Sequence, residues 1–166
     1  MGLKQPGLAR LVPQPGEQID KPTVWFCGHC GTRPEGELGH AHARVCESCK
    51  LGLLLESDAD VAPAKNQAFM VLDGTLSVCA LSKHAETLLA TTETEAVNRH
   101  VTELLVPADA EGSTPTSLAA AVTWAARGDE TTRSVVVRPA RTFGVRLRAR
   151  IASCGPPRAA LLVFDG

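Results

Sequence analysis

With 166 residues, the chain has room for one ordinary domain and a small appendage, but not for two large domains. Hydrophobic residues make up 44% and charged residues 21%, the balance of a globular protein, and a formal charge of −1 gives the whole molecule no pull toward DNA or anionic lipid. Four Phe, two Trp and no Tyr make a poor base-stacking platform, and no apolar run approaches the ~20 residues of a membrane-spanning helix.

Residues 1–22 hold four Pro and three Gly among polar residues and have no apolar core of a signal peptide, so they read as a flexible arm. Pro6 stands where a myristoylation signal needs Ser or Thr. Without a secretion signal, the six cysteines point to a reducing, cytoplasmic compartment, where thiols bind metal or pack as small hydrophobes.

Four of those cysteines fall close together, as Cys27-x2-Cys30, fifteen residues, then Cys46-x2-Cys49. This is zinc-site spacing, and it defines a finger over residues 23–56 with Zn2+ as its structural cofactor. Gly28 and Gly31 supply a tight first knuckle. The second pair opens into "KLGLLLES", which predicts Cys49 at a helix N-terminus, where the dipole favours a thiolate. A knuckle followed by a pair at a helix start resembles the treble-clef and zinc-ribbon fingers. His42-x3-Cys46 is an alternative ligand spacing, but four Cys already close a tetrahedral site, which leaves His29, His40 and His42 as loop residues. A closed site has no open position for catalysis. Pairing the thiols as disulfides is the weaker option in a reducing compartment.

Ser57–Lys65 reads as a linker. Beyond it, "AFMVLDGTLSVCAL" predicts two apolar strands joined at Asp73-Gly74 by a type I′ turn. Ser82 caps a helix that turns Ala85, Leu88 and Leu89 inward, and Thr92 with Glu95 forms a capping box for a second short one. Val101, Leu104 and Leu105 suggest a further helical turn before Pro107. Thr114-Pro115 start a longer helix with Leu118, Ala121, Val122 and Ala125 on one stripe and Gly128 as its stop. Strands are predicted at Arg133–Arg138, Thr142–Ala152 and Arg158–Phe164.

This order of elements over residues 66–166 resembles the PAS domain family. Residues 69–109 carry the resemblance: strand, Asp-Gly turn, strand and helix, then a passage matching the family at Glu95, Glu103, Leu104 and Asp109, with Asn98 where the family usually has Gly. The resemblance implies an α+β fold with a five-stranded antiparallel sheet and helices on one face, joined to the small N-terminal finger. It further implies a sensor or a dimerisation module. No cysteine follows Asn98 as flavin adduct chemistry would need, and the helix Pro115–Arg127 has no His for haem. His84, His100, Cys79 and Cys154 read as ordinary solvated or packed side chains. Neither haem nor flavin is therefore expected. Any small ligand would sit in an apolar interior enclosed by Phe69, Val71, Leu88, Leu118, Val122, Val145 and Leu147.

No phosphate loop, nucleophile elbow or tuned carboxylate pair is present, so the chain is expected to be no enzyme, and no output domain is expected after the last strand. Arg146, Arg148 and Arg150 alternate with apolar residues on one strand, while Leu161 and Val163 share their side of a strand apolar on both faces. An apolar strip beside a basic one predicts an interface, a homodimer or a protein partner, through the outer sheet face, with the expected helix after Cys49, carrying Leu53, Leu54 and Leu55, as the alternative cover from the same chain. The alternative is a small DNA-binding regulator that uses the finger and the Arg face. No membrane partner is expected.

Overall fold

The computed structural model describes residues 21–36, 44–108 and 117–166. The arm up to residue 20, His40, His42, Asp109 and the Thr114-Pro115 helix start lie outside the described residues. Among the described residues, twelve elements follow in order. Strands β1 (Thr23–Cys27) and β2 (Leu54–Asp58) precede β3 (Phe69–Leu72) and β4 (Val78–Leu81). Helices α1 (Lys83–Leu89) and α2 (Glu93–Ala96), a 3-10 turn at Val101–Glu103 and the short strand β5 (Leu105–Pro107) come next. Helix α3 (Leu118–Ala126) leads to β6 (Arg133–Pro139), β7 (Leu147–Gly155) and β8 (Ala159–Phe164).

The strands form one antiparallel sheet in the order β1-β2-β7-β8-β3-β4, with β6 between β5 and β7. The nine residues of β7 explain how so many strands join. One edge pairs with β8 from Ala149 to Cys154; the other takes β6 along Leu147–Ile151 and then β2 at Cys154 and Gly155. The sheet is therefore larger than the five strands expected, because the cysteine-bearing hairpin β1–β2 and the short β5 are built into it.

Side-chain alternation along β8 divides the core in two. Ala160, Leu162 and Phe164 face inward with Met70, Leu72 and Ile151, against Ala85 and Leu89 of α1, Ala96 of α2 and Leu118, Ala121, Val122 and Ala125 of α3. Ala159, Leu161 and Val163 face outward with Phe69, Val71, Ala152 and Cys154, and there Phe26, Leu55, Val61 and Ala62 cover them. The helices thus lie on one face and the cysteine hairpin on the other. Both caps read from sequence are present: Ser82 Oγ accepts from Ala85 N–H and from Phe69 N–H, and Thr92 and Glu95 complete a capping box. Gly128 follows α3 with a φ of +90°, the left-handed stop that glycine adopts without strain.

Several expectations are corrected. Ser57 and Asp58 belong to β2, and Val61 and Ala62 are buried, so Ser57–Lys65 is packed chain rather than a linker. The β3–β4 connection is a five-residue loop, not a type I′ turn: Asp73 Oδ1 accepts from the N–H groups of Thr75 and Ser77, and Leu76 takes the left-handed conformation. Leu105 enters β5 because β6 offers it a partner strand at Pro139. Residues 142–146 precede β7, where Gly144 at φ +78° turns the chain. No helix among the described residues is long and apolar enough to cross a membrane.

Candidate metal centre and the seam beside it

The two cysteine pairs adopt the same backbone. In each, the residue after the second cysteine is left-handed (Gly31 at φ +72°, Lys50 at φ +59°). Its N–H donates back to the carbonyl of the first cysteine, Gly31 to Cys27 and Lys50 to Cys46, both at 2.9 Å. Amides are thereby aimed at one thiol of each pair. His29 and Cys30 N–H point at Cys27 Sγ, and Gly52 N–H points at Cys49 Sγ, all at 3.4 Å. Cys49 runs through a loop into β2, not into a helix, because Leu54–Asp58 finds its ladder partners on β1. The two knuckles are thus brought face to face by a hairpin.

All four Sγ atoms lie within 4.8 Å of one another. Cys27 and Cys49 are 3.6 Å apart and Cys30 and Cys46 3.8 Å, and all four are free thiols. A tetrahedron of sulfurs about 2.3 Å from a central ion has edges of about 3.8 Å, so the cluster already has the dimensions of a thiolate metal site. Burial pushes the Cys27 thiol up, whereas at Cys49 the opposing effect of burial is outweighed by the N–H groups of Gly52 and Leu51, which draw it down to about 6. Gly52 is required sterically: a Cβ there would collide with Cys27 Sγ and crowd His29. The donor set fits a soft or borderline divalent ion, and no fifth donor joins the cluster among the described residues.

His29, between the two cysteines of the first knuckle, reaches across to the body of the protein. Its Nδ1 lies 2.7 Å from Glu93 Oε2. Glu93 is itself fixed: Oε1 accepts from Leu81 N–H, and its own N–H donates to Glu86 Oε1. The thiol cluster is thereby tied to the start of α2 and the end of β4. Sequence reading placed His29 in a loop without a role. The contact joins residues 64 apart, and only the burial of Phe26 and Leu55 against the sheet brings them together. The one signal available beforehand was that Phe26 and Leu55 are large apolar residues beyond what a four-thiol site needs.

The residues expected to enclose a ligand do not come together. Leu118 and Val122 are buried in the inner core, with Leu88 and Leu147 packed half-buried against it. Phe69 and Val71 lie on the opposite face, with Phe69 edge-on to Phe26 at 5.9 Å between ring centres. Val145 precedes β7 and is exposed. The discrepancy arises on β3, whose four residues are all buried, so strand periodicity gave no sign of which face each one takes.

The expected interface is altered as well. Leu161 and Val163 are fully buried within the single chain, beneath the cysteine hairpin. Arg150 is engaged: Nε donates to Asp165 Oδ1 at 2.8 Å and NH1 to the Asp60 carbonyl at 2.7 Å. Arg148 is exposed on the same side of β7, and Arg146 lies just before the strand. The outer strip is thus covered within the chain by Phe26 and Leu55, so that of the two expected covers the segment after Cys49 takes the place of a second chain, as a strand and not a helix.

Between the hairpin and the outer sheet face runs a cleft of about 410 Å³. Leu51, Leu53 and Leu55 wall it on the hairpin side, and Val71, Ala80 and Ala159 on the sheet side, with His29, Glu93, Asp73 and Cys79 also lining it. Cys79 arrives there through a bulge. Val71 pairs with Ala80 and Leu72 with Val78, which leaves Cys79 as the extra residue.

No protein-family model and no curated protein matches the chain. Among solved structures, the chain is similar to the PAS domain of nitrogen regulation protein NR(II) from Vibrio parahaemolyticus, at 15% identity and a TM-score of 0.44, over 60% of this chain and 88% of that one. It is likewise similar to the PAS domain of an HTR-like protein from Haloarcula marismortui, at 15% identity and a TM-score of 0.42, over 60% of this chain and 84% of that one.

Proposed function

We propose that the chain is a non-enzymatic, cytoplasmic regulatory protein of PAS type, in which a zinc ribbon built on Cys27, Cys30, Cys46 and Cys49 controls access to the outer sheet face. The order β3-β4-α1-α2-α3-β6-β7-β8, with helices on one face only, supports the PAS reading, as do the residues matching that family's pattern at Glu95, Glu103 and Leu104. Zinc is the ion best suited to four thiolates at these spacings in a closed site, and there it would contribute folding energy rather than catalysis.

One observation carries the reading: the apolar strip Phe69, Val71, Leu161 and Val163 is covered by Phe26 and Leu55, which stand on the strands that hold the thiols together. With metal bound, the ribbon keeps the strip shut. With metal lost or the thiols oxidised, the strip opens to a second copy of the chain or to a partner protein, since an apolar face of this kind does not stay in water.

Metal analysis of the purified protein, with light scattering before and after chelation, tests this. One zinc per chain and a rise from monomer to dimer on chelation are expected. Absence of zinc, or an unchanged mass after its removal, overturns the reading.

A further inference from the structure

The cleft between the ribbon and the sheet has the makings of a binding site that lies outside the helix-covered core. Its volume of about 410 Å³ falls in the range of small-molecule sites, and it is formed by two elements that meet only through the fold. Its walls are mainly apolar: Leu53 and Leu55 stand opposite Val71 and Ala80, and Leu51 lies at the mouth, 74% exposed. Polar groups are few and already oriented. Glu93 is a carboxylate that can only accept, so the facing His29 Nδ1 carries its proton toward Glu93. In the neutral ring this leaves Nε2 as an acceptor, and it has no hydrogen-bond partner among the described residues.

The charges lining the cleft select further. Asp73 and Glu93 both contribute carboxylates. Asp73 is held in its charged form by Thr75 and Ser77, whose hydrogen bonds outweigh the opposing effect of burial. Arg158 also lines the cleft, but its NH1 donates to the Arg127 carbonyl beyond the end of α3. An anionic ligand would meet two carboxylates against one guanidinium, a net negative lining among the described residues. A neutral or cationic ligand would not be opposed by it.

We propose that this seam is the seat of a small aromatic molecule, neutral or cationic, which buries its rings between Leu53, Leu55, Val71 and Ala80 and donates one hydrogen bond to His29. Such an occupant touches the metal-bearing knuckle and the sheet at once. It therefore favours the closed arrangement of ribbon and body by its affinity for that state alone. The site is independent of whether the outer strip ever recruits a second chain.

Indole and benzofuran make the test, because they share a shape and differ in the N–H. Amide spectra of the full chain are recorded on titration with each, and with indole-3-carboxylate as the anionic counterpart. Indole is expected to shift Gly28, His29, Val71 and Ala80 saturably in the millimolar range. Benzofuran is expected to bind about tenfold more weakly for want of the hydrogen bond, and the carboxylate more weakly still. Ala80→Phe fills the cleft from a partly exposed strand position and should abolish the shifts. Leu53→Ser thins the opposite wall at a half-exposed site that spares folding, and should weaken them several-fold. No saturable shifts with indole, equal binding of benzofuran, preferred binding of the anion or undiminished binding in Leu53→Ser overturns the proposal. So does a concentration-dependent shift of the same amides without any probe, which would place a second chain in the cleft.

Discussion

The two faces of this sheet are built from adjacent residues of the same strands, yet they depend on different things. Leu162 faces Val122 and the other inward residues of the helical layer; Leu161, one position away, faces Phe26 and Leu55. The inner cover consists of helices with their own caps, continuous in chain with the strands they protect. The outer cover is a two-stranded hairpin, a unit that cannot stand alone in water. It is held by four thiols at one end and by the short ladder from Glu56 and Ser57 to β7 at the other. Burial alone therefore says little about how securely a residue is buried; what matters is what holds the covering element.

Removing a metal held by the four thiols, as proposed above, is the largest perturbation of that difference. Structural zinc sites of this type supply folding free energy on the order of 10 kcal/mol, far more than the hairpin's own contacts can replace. Chelation, or Cys46→Ser, is expected to release β1 and β2 while β3, β4 and the helices keep their structure. Hydrogen exchange checks this residue by residue: the amides in the Glu56–Ser57 ladder should lose protection, and those pairing β3 with β8 should retain theirs. If both sets collapse together, the two faces are one cooperative unit and the contrast fails.

A finer test uses the adjacent leucines. Leu161→Ala and Leu162→Ala each empty a fully buried site and are each expected to cost about 2–5 kcal/mol in the metal-bound protein. After chelation, at a concentration low enough to keep the chain monomeric, the cost of Leu162→Ala should persist while that of Leu161→Ala falls toward zero, because its neighbours on the outer side have gone. Denaturant unfolding of both variants with and without chelator measures the two differences. Equal costs in both states would show that the outer face stays covered by something other than the hairpin.

How much of this was legible in the sequence follows from range. Each Cys-x2-Cys pair, the Ser82 cap and the Thr92–Glu95 box are patterns within a few residues; the four thiols do cluster, and both caps stand where the spacing put them. The double-sided character of β8 was also readable, since Ala159–Phe164 has no polar residue, and so was the need for something to cover its outer side. The identity of that cover was readable only as a choice between a second chain and the segment 53–55 after Cys49, and nothing local showed that Leu55 would arrive on a strand with Phe26 beside it. The helix expected after Cys49 failed for a related reason. "LGLLLES" suits helix and strand alike, and pairing with β1 decided the matter.

Ser82 offers a smaller effect confined to the inner layer. Its hydroxyl accepts from Phe69 N–H at 2.9 Å and caps α1 at Ala85, and the residue is almost fully buried. Ser82→Ala leaves two amides without that acceptor and should cost about 1–2 kcal/mol. The loss should be the same with and without metal, since neither partner belongs to the hairpin. A metal-dependent loss would mean that the hairpin reaches α1 energetically, through Glu93 and Glu86.

The smallest expected effect is a pH dependence that belongs to the helical side alone. Asp129 follows the Gly128 stop of α3. Its Oδ1 accepts from Arg133 NH1 at 3.1 Å and from Thr131 N–H at 2.8 Å, while the same guanidinium lies 4.5 Å from the centre of the Trp124 ring. The Arg133 hydrogen bond first, then the Thr131 amide, hold the Asp129 carboxyl down at about 2. In the unfolded chain the same group titrates near 3.9, so the folded state binds its proton less readily. Its contribution is therefore complete above about pH 4 and is lost as the pH falls toward 2. The group is solvent-exposed, so the effect is modest and screened by salt. Following the Asp129 side-chain carboxyl carbon by NMR should give a midpoint near 2, unchanged when the metal is removed, and Asp129→Asn should flatten the acid limb of the stability curve in that window. A midpoint near 4 would show that the clamp between α3 and β6 does not form in solution. A midpoint that moves on chelation would show that the outer cover reaches through the sheet to the helices, and the two faces could no longer be treated as separately held.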